Sequence, residues 1–239
     1  MVRSTPAFLK MVTPRRGESS KAQGDETRRR IVSAAVEVFA TRGYDGAGTR
    51  EIAAEADVNL ASLTYYFGGK PALYKAAIDY VIARIDDILR PSAQHVSEVL
   101  AAGTWNGDTD EQLFQLLFEL LDHWLDLNLG RSGRQWNNQW RNLLARAEVE
   151  PPTGDVWIYR TTTDLVLTPA TCIVRHLLRA ELDDERCILL ALSILGQVQF
   201  FKPQRDGQVP ALDWSSMTDE RYEAVKSMIR SNTRKLLQR

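Results

Sequence analysis

The sequence predicts an all-α chain, with a small N-terminal three-helix helix-turn-helix unit followed by a larger helical domain. Three observations carry that prediction. Apolar residues recur at three- and four-residue intervals through most of the chain instead of alternating. Helix punctuation falls between those stretches, with Asp25, Thr49 and Asn59 before apolar stripes and Gly43 and Pro91 after them. Val156 to Leu167 is rich enough in β-branched residues to imitate a strand, but no other run offers it a partner, so it too is read as helix.

The first helix is expected over about 26–42. Ile31, Ala34, Ala35, Val38 and Phe39 form one stripe, Asp25 caps the start, and Gly43 supplies the left-handed residue that ends a helix cheaply. Tyr44 to Gly48 has the composition of a turn, and Thr49 offers a hydroxyl cap to a short second helix, Arg50 to Ala56. Asp57, Val58 and Asn59 break the chain again, and Asn59 is placed to cap a third helix from Leu60 to about Phe67. Helices this short need a shared core, for which Ile52, Ala53, Ala56, Val58, Leu63 and Phe67 are available. Pro71 suits the first turn of a fourth helix that continues through Leu73, Ala76, Ala77, Tyr80, Val81 and Ile85 until Pro91 ends or kinks it. Residues 103–109 read as a loop and Leu113 to Leu129 as a helix whose acidic residues face water. Breaks at 130–133 and 151–155 follow, and the last two helices are expected at about Asp184 to Lys202 and Thr218 to Leu237.

Composition narrows the class. With 239 residues, 44% hydrophobic and 26% charged, the chain is an ordinary soluble globular protein. The net charge of -1 hides a division. Residues 1–70 hold eleven Lys or Arg against eight Asp or Glu, so the front is basic and the remainder acidic, which suits an anionic partner met by the first segment. Residues 1–24, with Arg3, Lys10, Arg15, Arg16 and Lys21 among Ser, Pro and Gly, read as a flexible basic arm without the apolar core of a signal peptide. Cys172 and Cys187 are too few for a disulfide framework, and a reducing cytoplasm is expected. The apolar run from Cys187 to Phe201 falls short of the ~18 residues of a membrane span.

The third helix carries the chemistry. Turning 100° per residue from a buried Leu63 puts Phe67 inward and Ala61, Ser62, Thr64 and Tyr65 outward. Three of those four are small, so the backbone can approach another surface closely, as a recognition helix does in the major groove of DNA. Exposed Ser and Thr on short helix pairs are also commonly just solvated, and on geometry alone the two readings stand level.

The runs Ala-Val-Glu-Val-Phe-Ala-Thr-Arg-Gly-Tyr (35–44), Thr-Arg-Glu-Ile-Ala (49–53) and Thr-Tyr-Tyr-Phe-Gly-Gly-Lys-Pro-Ala-Leu-Tyr (64–74) together resemble the signature of the TetR family of transcriptional regulators. The resemblance covers about 25–85. It implies a DNA-binding domain there, with the helix-turn-helix at about 49–67, and a regulatory and dimerisation domain over 86–239. It further implies that Thr49 and Arg50 lie against phosphates and that Asn59, Leu60, Ala61 and Ser62 face base edges. Tyr65, Tyr66 and Lys70 match positions that touch backbone or bases, with Tyr66 and Lys70 the strongest phosphate contacts, while Thr64 stands where the family very often has Tyr. Leu60 at a base-facing site offers only apolar contact, to a thymine methyl or to groove shape. A shorter match, Ile194-Leu-Gly-Gln-Val-Gln-Phe-Phe, is similar to the C-terminal domain of the CecR-type subgroup.

The partners implied are a double-stranded palindromic operator, a second copy of the chain and a small-molecule effector, with no cofactor, metal or membrane. All six tryptophans lie beyond residue 100, which makes Trp124, Trp136, Trp140 and Trp157 candidates to line an effector site, although core packing explains most such residues. Three scattered histidines without i, i+4 pairing argue against a metal sensor. Leu190, Ile194, Gly196, Gln197 and Phe201 are the expected dimer seam. No phosphate-binding glycine loop, metal-ligand cluster or local Ser, His and Asp arrangement points to catalysis. An enzymatic or merely architectural second half is the competing reading.

Overall fold

The computed structural model of the chain describes residues 16–103, 109–129, 134–149, 157–178, 183–201 and 217–238. Among these every regular element is helical: α1 (Arg16–Gly46), α2 (Thr49–Glu55), α3 (Leu60–Phe67), α4 (Lys70–Ala102), α5 (Thr109–Leu129), α6 (Arg134–Val149), α7 (Trp157–Leu177), α8 (Asp184–Gly196), a 3-10 turn (Gln197–Phe201) and α9 (Asp219–Leu237). The strand-like composition at 156–167 thus folds as the start of α7, in line with the absence of a pairing partner.

The N-terminal unit forms because two short helices borrow the stripe of a long one. Ile31, Ala35 and Phe39 of α1, Ile52 and Ala53 of α2 and Leu63 of α3 are all buried together. Phe39 and Tyr44 complete the corner with Tyr74 of α4, in edge-on ring contacts of 4.9 and 5.0 Å. Gly43 takes the left-handed φ of 74° expected of it and ends the regular part of α1. The beginning of α1 differs from expectation, since helix already runs from Arg16 and Asp25 lies inside it. The reason is local: after Gly17 the segment holds Glu, Lys, Ala and Gln, which extend a helix readily once a packed turn downstream has nucleated it. The cap of α2 also moves by one residue. Gly48 is its N-cap and Thr49 is the first helical residue, with no side-chain cap bond.

The long α4 joins the two halves. Pro71 lies in its first turn as expected, but Pro91, expected to end or kink the helix, does not end it, and α4 continues to Ala102, capped by left-handed Gly103. The helix survives because Leu89, Ala93 and Val96 bury one stripe on both sides of the proline, which holds the axis while Pro91 itself sits on the exposed side. In the second half α5 is apolar on almost every side: Leu113, Phe114, Leu117, Leu120, Leu121 and Leu125 are buried, so it is the central helix, contacted by α4, α7 and α9.

α5 starts four residues before the expected Leu113, and its acidic residues do not simply face water. Glu111 pairs with Arg234 at 2.7 Å, Asp122 with Lys226 at 2.9 Å and with Arg230, and Asp126 accepts from the Tyr222 hydroxyl. α9 supplies every one of those donors, a long-range pairing that helical periodicity within α5 does not reveal. The helix expected at Asp184 to Lys202 is α8 only as far as Gly196, where it tightens into the 3-10 turn. The loop residues 104–108 and the breaks at 130–133 and 150–156 lie outside the described residues.

Candidate DNA-binding surface

The α3 helix is held from one side and left open on the other. Leu63 and Phe67 are buried, while Ala61, Thr64 and Tyr65 are exposed, Tyr65 at 84%, and Ser62 is half-buried. Burial of a leucine of this kind is worth ~2 kcal/mol. Asn59 is the N-cap: its side-chain oxygen accepts from the Ser62 amide at 2.7 Å, as the sequence predicts. That bond engages one lone pair of the Asn59 side-chain oxygen, and its amide NH2 has no hydrogen bond among those the structure shows. Leu60 is exposed at 38%, an apolar side chain at the outer tip of the helix. The Thr64 hydroxyl donates back to the Leu60 carbonyl at 3.0 Å, so its hydrogen is committed within the helix and its oxygen is what faces out.

The flanking residues form a rim. Thr49 is half-buried and Arg50 exposed at the start of α2. Tyr66 lies partly buried against the core, its ring edge-on to Tyr65 at 5.2 Å, and its hydroxyl is 3.5 Å from where a side chain at Gly24 would begin. The ring therefore packs on the core, and the hydroxyl lies beside α1 at Gly24. Lys70 sits over the Tyr44 ring at 4.8 Å and donates to the Asp45 carbonyl at 3.2 Å. Periodicity missed Arg30. It reaches from α1 to the corner between α2 and α3, donating to the Ala56 and Asp57 carbonyls at 2.6 and 2.8 Å. The signal available in sequence was a single charge directly before the buried stripe, which nothing distinguishes from its neighbours Arg28 and Arg29.

In the second half, the Trp124 indole donates to the Leu195 carbonyl at 3.2 Å, tying α5 to the end of α8. Trp140 is buried in the core. The side chains of Trp136 and Trp157 lie outside the described residues. Arg141 donates to the Asn128 carbonyl, and burial lowers its pKa from the ordinary guanidinium value. Of the expected seam, Ile194 needs correction: it is fully buried in the chain's own core and presents nothing to a second copy. Leu190 and Phe201 are half-buried against that core, Gln197 reaches Thr233 at 3.4 Å, and Gly196 borders open space. The apolar residues α8 turns outward are Ile188, Leu189 and Leu192, six, five and two positions before Ile194 and so more than a quarter turn round the helix from it. Among the described residues no cluster of His, Cys, Asp and Glu is placed to hold a metal, and no helix is long and apolar enough to cross a membrane.

A short capped helix, fixed from behind and open in front, set beside a second short helix on a three-helix core, defines a helix-turn-helix DNA-binding protein. The model of the bacterial regulatory proteins of the tetR family matches residues 31–77. A second model, the C-terminal domain of the HTH-type transcriptional dual regulator CecR, matches residues 117–238. The chain belongs to the TetR family of transcriptional regulators and has a C-terminal domain of the CecR type. It is 23% identical over 224 residues to the HTH-type transcriptional dual regulator CecR of Shigella flexneri, covering 90% of this chain and 93% of that one. It is also 34% identical over 97 residues to the probable HTH-type transcriptional regulator YttP of Bacillus subtilis (strain 168), covering 41% and 43% of the two chains. Among solved structures, a transcriptional regulator from Rhodococcus sp. Rha1 shares the fold with a TM-score of 0.56 at 20% identity, over 87% of this chain and 95% of that one. A TetR-family regulator from Mesorhizobium loti does so with a TM-score of 0.55 at 18% identity, over 90% and 96%. The protein is a DNA-binding regulator and not an enzyme.

Proposed function

We propose that this protein is a repressor that binds a palindromic operator as a dimer and leaves it when a small molecule enters the C-terminal domain. The observation that carries the reading is the open face of α3, Ala61 to Tyr65, set at the end of a helix, α4, that runs unbroken from the DNA-binding unit into the second domain. Asn59, Leu60, Ala61 and Ser62 face base edges. Thr49, Arg50, Tyr66 and Lys70 meet phosphates, with Tyr65 and Thr64 between the two groups. The expected basic arm of residues 1–24 is shortened by α1, which already includes Arg16 and Lys21, and the positive charge of this segment adds to the attraction for the same anionic surface.

One two-turn helix buries too little for specific affinity, so two copies related by a two-fold axis read half-sites about one helical turn apart. Ile188, Leu189 and Leu192 of α8, together with Met228 and Leu236 of α9, are the large apolar side chains left exposed among the described residues of the second half, and they support a four-helix seam between subunits. An effector seated near Trp124 and Trp140 shifts α4 and, through α6 packed on α1, the spacing of the two α3 helices. Arg146 of α6 reaches the Thr41 carbonyl at the end of α1, a direct contact between the two halves that such a shift would move. DNA binding and effector binding then oppose each other.

The test is a selection of duplexes from a randomised library followed by titration with candidate effectors. Discrete two-fold symmetric sites, and affinity that falls when an apolar aromatic compound is bound, are the expected results. Uniform coating of any duplex defeats the operator reading, and a selected duplex whose affinity rises with the compound bound defeats release.

A further inference from the structure

The corner between α2 and α3 is built in a way that a helix-turn-helix does not require. The end of α2 closes with the Asp57 amide bonded to the Ala54 carbonyl at 3.0 Å and the Val58 amide to the Ala53 carbonyl at 2.9 Å, the paired bonds of a Schellman cap. The position that such a cap puts in the left-handed region favours glycine, and here it is Asp57, at φ 50°, the one non-glycine residue with positive φ among the described residues. The strain sits immediately before Asn59 and the reading helix. One side chain from another element gathers what this corner leaves over. Nη2 of Arg30 lies 2.6 Å from the Ala56 carbonyl oxygen, 2.8 Å from that of Asp57 and 3.1 Å from the Asp57 carboxylate. Two turns of chemistry are served at once, because the cation meets the carbonyl end of α2 and a carboxylate that is itself almost wholly exposed. Two residues earlier in the same helix, the Arg28 guanidinium lies 5.4 Å from the centre of the Phe67 ring, so α1 touches α3 at its far end as well.

We infer that Arg30 is a positioning residue for the recognition helix: it clamps the left-handed Asp57 corner, so that α3 presents Asn59 to Ser62 at one fixed angle, and it contributes to sequence discrimination without touching DNA. The inference rests on the reading of α3 given above. Its logic is geometric. The corner is the hinge about which α3 can swing relative to α2, an aspartate there is held only under strain, and base readout demands placement far tighter than phosphate attraction does.

The experiment uses the full chain and two probes of about 30 base pairs, one selected by the wild-type protein from a randomised library and one a scramble of it. Affinity is followed by anisotropy across a potassium chloride series. Arg30→Gln is expected to weaken the selected duplex ~10-fold and the scramble less than about two-fold, with the slope of log affinity against log salt unchanged. Equal loss on both probes with a slope reduced by about 1 overturns the inference, since that is the signature of a lost phosphate contact. Unchanged affinity for the selected duplex overturns it as well. Asp57→Gly removes the strain that the clamp opposes, so adding Arg30→Gln in that background is expected to cost about three-fold or less. A full ~10-fold loss there overturns the clamp, and this pair of variants serves even where Arg30→Gln alone folds poorly. Ser62→Ala keeps the two readings apart. If it leaves the preference between duplexes unchanged while Arg30→Gln narrows it, the base-reading assignment falls and the clamp stands; in the opposite case only the clamp falls.

Discussion

Asn59 and Lys70 illustrate how side chains of the reading unit are committed before any partner arrives. Asn59 uses its oxygen to cap α3, so in the proposed readout its amide NH2 is the group freest to meet a base acceptor such as guanine N7 or O6 or thymine O4. Lys70 rests over the Tyr44 ring and donates to the carbonyl of the exposed Asp45. Ser62 and Lys70 therefore predict opposite phenotypes. Ser62→Ala is expected to reorder the preference among selected duplexes, with a change of ~1 kcal/mol at the affected base pair and an unaltered salt slope. Lys70→Ala is expected to weaken every duplex alike and to lower the slope by about 1. Binding isotherms on a panel of single-base variants at two salt concentrations separate the two, and the reverse pattern would exchange the roles. Leu60 adds a further constraint, because an exposed leucine at the tip of a reading helix has only a thymine methyl or the groove wall to meet.

The elements show where local sequence is sufficient and where it is not. The bounds of α3, its Asn59 cap, its Leu63 and Phe67 anchors and the Gly43 stop of α1 were all legible, because each is decided by residues within one turn of the feature. Three other features were not. The early start of α1 depends on turns downstream, the passage of α4 through Pro91 depends on burial at Leu89, Ala93 and Val96, and the acidic side of α5 depends on α9, about a hundred residues further on. The Arg30 clamp belongs with these, since 26 residues separate it from Ala56. Pro91→Ala restores a backbone donor at an exposed position inside the helix, and a gain of ~1 to 3 kcal/mol in unfolding free energy by urea titration is expected. The α5–α9 pairing has a pH signature. Hydrogen bonds from Arg234 and then Gln115 hold the Glu111 carboxyl below its ordinary value of 4.5. A group with a lowered folded-state pKa stabilises above its unfolded value, and that contribution disappears as pH falls through the folded one. Glu111→Gln is therefore expected to lower the melting temperature at pH 7, with the gap to the wild type closing as pH falls below 4.5 through the lowered folded-state value. A gap that does not narrow as pH falls would mean packing, and not charge, is what the substitution removes.

At the scale of the molecule, the second half presents an imbalance that a single copy does not resolve. α8 buries Cys187, Ala191, Ile194 and Leu195 in its own core and still exposes Ile188, Leu189 and Leu192, a second apolar stripe. α9 does the same with Met228 and Leu236 outside while Tyr222, Val225, Ile229 and Leu237 face in. In the proposed dimer, two-fold symmetry supplies the missing cover for this second stripe from an identical surface. Leu189 is the most exposed of these five, at 57%, and makes the sharpest probe. A carboxylate there meets its own symmetry mate or an apolar neighbour in a dimer, whereas in a lone chain it is solvated at no cost. Leu189→Glu is thus expected to leave the helical circular dichroism spectrum and the monomer's fold intact, to halve the mass measured by light scattering at micromolar concentration, and to reduce affinity for a two-fold symmetric duplex at least ~100-fold while a single half-site is bound as before. A variant that remains dimeric would move the seam off this face. One that becomes monomeric yet keeps full affinity for the symmetric duplex would show that a single α3, with its rim of phosphate contacts, is enough.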